Sequence, residues 1–131
     1  MTNNKAIGYL GEQTFIELLN LNKIEHEYLD DWCDFKISGV PVDVKTTQLS
    51  HKFTNLKIKK QSYKVGRFDL TDKQRELGIW LALYVRHLEQ FLFLGMYYAN
   101  KDSPRYISIH KTRELEMYSL EEFIIIKKKK T

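Results

Sequence analysis

At 131 residues, 43% apolar and 29% charged, the chain suits one compact soluble domain with a single core, not two domains or a disordered segment. Its net charge is +4, no apolar run nears the roughly 20 residues of a membrane span, and the start, MTNNKAIGYLGE, lacks the pattern of a secretory signal. The lone cysteine, Cys33, excludes an internal disulfide and a cysteine-built zinc site, and fits a reducing cytoplasm.

In chain order, Asn3 or Asn4 caps a predicted first helix running to about Asn20. Its apolar positions Ile7, Leu10, Phe15, Leu18, Leu19 and Leu21 recur at helical spacing. Glu12 shares a row with Phe15, Ile16 and Leu19 and so leans toward the buried side. It is either part of a site or a boundary carboxylate that reaches out to water. Gly8 and Gly11 flank it and permit close backbone approach.

Ile24–Leu29, Cys33–Ser38 and Val40–Thr46 read as three strands, the last two joined at Ser-Gly-Val-Pro. Phe35, Ile37, Val42 and Val44 alternate with Asp34, Lys36, Asp43 and Lys45. Period two therefore puts the apolar four on one face and the charged four on the other. A turn centred between Gly39 and Val40 sets Asp34 opposite Lys45 and Lys36 opposite Asp43.

The charge is unevenly spread. Residues 1–43 hold eight acids against three bases, yet no acid lies between Asp43 and Asp69. Lys45, Lys52, Lys57, Lys59, Lys60, Lys64 and Arg67 supply seven positive charges there, interleaved with Phe53 and Tyr63. Such a segment attracts a phosphate backbone through counterion release, or it is a solvated lysine-rich loop. Gln48, Lys52, Lys57, Lys59, Lys60, Lys64 and Arg67 are the candidate DNA contacts, while Gln61 and Tyr63 receive no role. LKIKK alternates like a short strand.

Leu70–Leu77 reads as a helix, capped by Thr71 or Asp69 and ended by Gly78. IWLALYVRH and FLFLGMYYA are strong strands separated by a Leu-Glu-Gln turn, and Arg105–His110 and Glu114–Tyr118 read as further strands. Ser119 opens a short helix, SLEEFIII, ahead of the basic tail Lys127–Lys130. With no repeat or linker, residues 1–131 form one domain with its core in 3–118. The expected class is α/β or α+β, a central mixed β-sheet flanked by helices.

The charged face of the hairpin suits metal-dependent phosphodiester hydrolysis, which needs hard oxygen ligands, an activated water and positive charge at the phosphate. Asp34 and Asp43 can hold Mg²⁺, with Mn²⁺ as a substitute, and the cation offsets the repulsion between them. Lys45 points the same way and can orient or deprotonate a water, or stabilise charge on the scissile phosphate. Glu12 completes the cluster through a water or a second ion. The four histidines lack ligand spacing, and Ser50, Ser62 and Cys33 lack a local His/Asp arrangement. No phosphate-binding G-x-x-x-x-G-K-[ST] loop is present, so no nucleotide cofactor is expected. Trp32 and Trp80 read as packing residues.

Gly11-Glu12 in a first helix, Asp34 before a hairpin, and Asp43-Val44-Lys45 on its second strand resemble the PD-(D/E)XK nuclease superfamily. The likeness is nearest to archaeal-type Holliday junction resolvases and small homing or restriction-like endonucleases, and covers about Ile7 to Gln48. Cys33 stands where the superfamily's name expects proline. The resemblance implies a restriction-endonuclease-like core and Mg²⁺-dependent cleavage of duplex or branched DNA. It casts Asp34 and Asp43 as metal ligands, Lys45 as the catalytic lysine and Glu12 as an accessory acid that also serves the metal. One centre cuts one strand, so cleavage of both strands favours a homodimer. The alternatives are a non-catalytic DNA-binding module or subunit of the same fold, and an unrelated basic domain in which Asp43 and Lys45 form an exposed pair.

Overall fold

The computed structural model describes residues 4–29, 31–48 and 66–130. Helix α1 (Asn4–Leu21) is followed by strands β1 (Glu27–Tyr28), β2 (Phe35–Ile37), β3 (Val40–Gln48) and β4 (Arg67–Asp69). Then come helix α2 (Asp72–Leu77), strands β5 (Ile79–His87), β6 (Gln90–Ala99) and β7 (Tyr106–Ser108), and helix α3 (Leu120–Lys130). The main sheet has the order β1-β2-β3-β5-β6; β3 and β5 run parallel and the other neighbours antiparallel, so the sheet is mixed. A second, two-stranded sheet pairs β4 with β7.

The alternation in β3 and β5 explains why both sheet faces are covered. Val42 and Val44, with Trp80, Ala82 and Tyr84, join Phe15 and Leu19 of α1 and Phe123 of α3 in one core. The opposite side of β5, Ile79, Leu81, Leu83 and Val85, packs with Cys33, Phe68, Leu70 and Ile107 in a second core. Asp43 and Lys45 fall on that second side, in register with Leu81 and Leu83. A strand carrying charge thus lies beside apolar neighbours.

Helix α1 presents Ile7, Gly11, Phe15 and Leu19, four residues apart, as its buried stripe. Glycine at position 11 is required by contact: a Cβ there would collide with the side chain of Thr46 on β3. The helix ends in a Schellman arrangement, with Ile24 N–H donating to Leu19 O at 2.9 Å and Lys23 N–H to Asn20 O at 3.0 Å, and Lys23 at φ 55°.

The hairpin turn differs from the sequence expectation by one residue. Phe35 pairs with Val42, Lys36 with Pro41 and Ile37 with Val40, so the turn is Ser38-Gly39, with φ of 52° and 81°. Two successive positive φ values are those of a type I′ loop, whose twist matches the strands it joins. Ser38 adopts a left-handed conformation, which moves the turn back from the Gly39–Val40 centre expected from the sequence. Moving the centre one residue shifts each partner by two. The apolar and charged faces survive, but Lys36 now opposes Pro41, and Asp34, just past the end of the ladder, comes to lie beside Asp43 instead of pairing with Lys45.

Other expectations shift as well. The first strand is only two residues long, and Arg105–His110 contributes only Tyr106–Ser108 before a 3₁₀ helix, Ile109–Glu114, takes over. The expected Glu114–Tyr118 strand reduces to one bridge, Tyr118 with Met96. Helix α3 continues through the basic tail to Lys130. The short strand expected at LKIKK lies outside the described residues. No helix among those described is long and apolar enough to cross a membrane.

Gly11→Ala should lower stability by about 1–3 kcal/mol, as overpacking at a tight contact does, despite the gain of about 1 kcal/mol in helix propensity. Urea unfolding measures this, and adding Thr46→Ala should recover part of the loss.

Candidate active site

Asp34 is held at the mouth of the hairpin by main-chain bonds on both sides. Its N–H donates to Val42 O at 3.1 Å, and its carbonyl accepts from Leu29 N–H at 2.8 Å. Its Oδ2 accepts the Val44 N–H at 2.8 Å, covering a β3 donor just past the end of β2. Asp43 stands opposite, 7% exposed, and the two carboxyl groups share a hydrogen bond.

Asp43 Oδ2 takes two donors, Lys45 Nζ at 3.1 Å and Gln74 Nε2 at 3.0 Å. Lys45, its side chain 19% exposed, can therefore pair with Asp43 while its ammonium still reaches solvent. Each aspartate thus has its Oδ2 committed to protein donors.

Burial raises the Asp34 pKa from its usual value to about 8, assisted by the Asp43 charge, the hydrogen bond to Asp43 and the Glu12 charge, and opposed by the Val44 N–H. With no cation the pair thus retains a proton near neutrality. Burial also raises the Cys33 thiol pKa, with the charges of Asp43 and Asp34 adding to the effect, which favours the protonated thiol.

The donor set fits a small hard cation. Two adjoining carboxylates that hold a proton against their own repulsion are the oxygen ligands Mg²⁺ or Mn²⁺ prefer, and such an ion can take the proton's place. Among the described residues, no three His, Cys, Asp or Glu side chains form a ready-made metal group. Glu12 is half-buried on α1, and its charge is felt at Asp34.

The remaining candidates divide. Gln48 ends β3, exposed and in register with Arg86. Arg67 is exposed on β4 but engaged, with Nε 3.0 Å from Asp69 Oδ1 and its guanidinium 3.9 Å over the Tyr106 ring. Lys52, Lys57, Lys59, Lys60 and Lys64, with Gln61 and Tyr63, lie outside the described residues. Trp80 is core, edge-on to Phe123 and Tyr118, and Trp32 is half-buried with Lys73 Nζ 6.0 Å above it.

Gln74 was missed by the sequence reading. The stretch TDKQ does signal a capping box, and the structure has it, with Gln74 N–H donating to Thr71 Oγ1 at 3.1 Å and Thr71 N–H to Gln74 Oε1 at 3.2 Å. Nothing in that signal points thirty-one residues back to Asp43.

No family model, curated protein or solved structure matches this chain.

The raised Asp34 pKa has a definite sign. Between about pH 4 and pH 8 the folded protein binds a proton that the unfolded chain has released, so stability falls as pH rises through that window. Melting temperatures in EDTA should decline accordingly, and Asp34→Asn should flatten this part of the profile.

Proposed function

We propose that this protein is a Mg²⁺-dependent endodeoxyribonuclease with a restriction-endonuclease-like core, hydrolysing phosphodiester bonds in duplex or branched DNA. One observation carries the reading: Asp34 and Asp43 abut across a hairpin, and Lys45 is paired with one of them on the same face. An exposed, merely stabilising Asp–Lys pair needs neither a second, half-buried carboxylate beside it nor a proton retained by that neighbour.

Asp34 and Asp43 would hold the cation, with Glu12 as an accessory acid. When bound, the ion supplies positive charge at the phosphate and lowers the pKa of a nearby water. Lys45 holds a charged donor at Asp43, where it can orient the attacking water or stabilise negative charge developing on the phosphate oxygens. Burial of Asp43 and Leu81 beside it keeps the local dielectric low, which strengthens each of these interactions.

The acid-free segment Lys45–Arg67 supplies the positive potential for the DNA backbone, with Gln48 where that segment begins. A homodimer would place two such centres for cutting both strands, and the single buried cysteine fits a reducing, cytoplasmic setting.

The test is incubation with branched, duplex and single-stranded DNA, with Mg²⁺, Mn²⁺ or EDTA. Cleavage should require the divalent ion and stop in EDTA. Asp43→Ala and Lys45→Ala should each lower the cleavage rate by at least about a hundredfold, with DNA affinity nearly unchanged. Binding with no metal-stimulated cleavage of any substrate would instead identify a DNA-binding module.

A further inference from the structure

We propose that Gln74 is a positioning residue of this site, fixing both the rotamer of Asp43 and the chain segment that delivers Asp34. The inference rests on the cation-dependent reading above and adds a residue from a different element. Gln74 is 3% exposed, and its Nε2 donates twice, to Asp43 Oδ2 at 3.0 Å and to the Trp32 carbonyl at 3.2 Å. Trp32 lies two residues before Asp34, so one amide ties down the carboxylate of one aspartate and the main chain leading to the other.

The orientation of that amide follows from its partners. Asp43 Oδ2 and Trp32 O are both acceptors, and the Thr71 N–H facing Oε1 is a donor. Flipping the amide would set an oxygen against two acceptors and an NH₂ against a donor.

Helix capping alone does not call for glutamine here. At the third position of α2, glutamate closes a capping box equally well and suits the positive end of the helix better. What glutamate lacks is the donor face that Asp43 and Trp32 use. The amide therefore serves the carboxylate as well as the helix. By occupying Oδ2 beside Lys45, it fixes the carboxylate plane of Asp43 next to Asp34, with which a cation would be shared. Outer hydrogen bonds of this kind orient metal ligands and set their affinity.

Helix α2 has anchors that do not depend on this amide. Arg75 Nε donates to Ser103 O at 3.0 Å, and Asp72 Oδ1 lies 3.1 Å from Arg105 Nη2. Gln74→Leu can therefore remove the donor without releasing the helix, and Gln74→Met, which also fills the space, serves where the leucine variant fails to fold. Thr71→Ala is the control, because it weakens the cap of the same helix but keeps the Thr71 N–H that holds the Gln74 amide.

The experiment measures Mn²⁺ binding to the full chain by calorimetry without DNA, alongside melting temperature and cleavage rate at saturating Mn²⁺. Gln74→Leu should weaken Mn²⁺ binding by about ten- to a hundredfold and slow cleavage. Thr71→Ala should lower the melting temperature yet keep Mn²⁺ affinity within about twofold of wild type. Wild-type binding that Gln74→Leu and Gln74→Met leave unchanged, or that Thr71→Ala weakens equally, overturns the role of Gln74 and leaves the nuclease reading standing. Wild-type protein that neither binds Mn²⁺ nor cleaves DNA overturns both.

Discussion

Two carboxylates facing each other across a hairpin repel, and the structure around them is organised by how that repulsion is met. Two unit charges about 4 Å apart near a protein surface interact by about 4 kcal/mol. The opposite face of the same hairpin buries Phe35, Ile37, Val42 and Val44, each contributing about 1.5–3 kcal/mol when taken from water. Apolar burial thus outweighs the repulsion, and the hairpin can close with Asp34 against Asp43. The residual strain is relieved locally: a retained proton on the pair, the Val44 N–H on Asp34, and Lys45 with Gln74 on Asp43.

Strand β3 is the element on which these demands meet. Val40, Val42 and Val44 belong to the core under α1 and α3, while Asp43 and Lys45 face the layer made by α2, β4 and β7. The charged side chains Asp43 and Lys45 lie on one side, and the other side supplies apolar packing. Gly11 lets α1 approach β3 closely enough to touch Thr46, which places Glu12 where its charge reaches Asp34. Helix α2, only six residues long, is pinned to the segment around Ser103 and carries the amide that reaches Asp43. A half-buried acid from the first helix and a buried amide from the second bracket the aspartate pair.

Sequence alone determined the elements with strong local signals: α1, the paired faces of the hairpin, the Thr71-capped α2 with its Gly78 end, and the long strands β5 and β6. Periods of two and 3.6 are local properties, so Asp34, Asp43 and Lys45 could be assigned to one face without knowing the fold. Tertiary structure decided the rest. The turn centre depended on Ser38 adopting a positive φ, a choice made by strand twist, and moving it by one residue preserved the faces while bringing Asp43 instead of Lys45 beside Asp34. The strand expected at Arg105–His110 gave way to a 3₁₀ helix because only three of its residues find a partner, in β4. Gln74 entered the site through a contact spanning thirty-one residues, and hydrogen bonds of that reach leave no periodic trace in a chain. Local pattern could say which side chains share a face; only packing could say which of them touch.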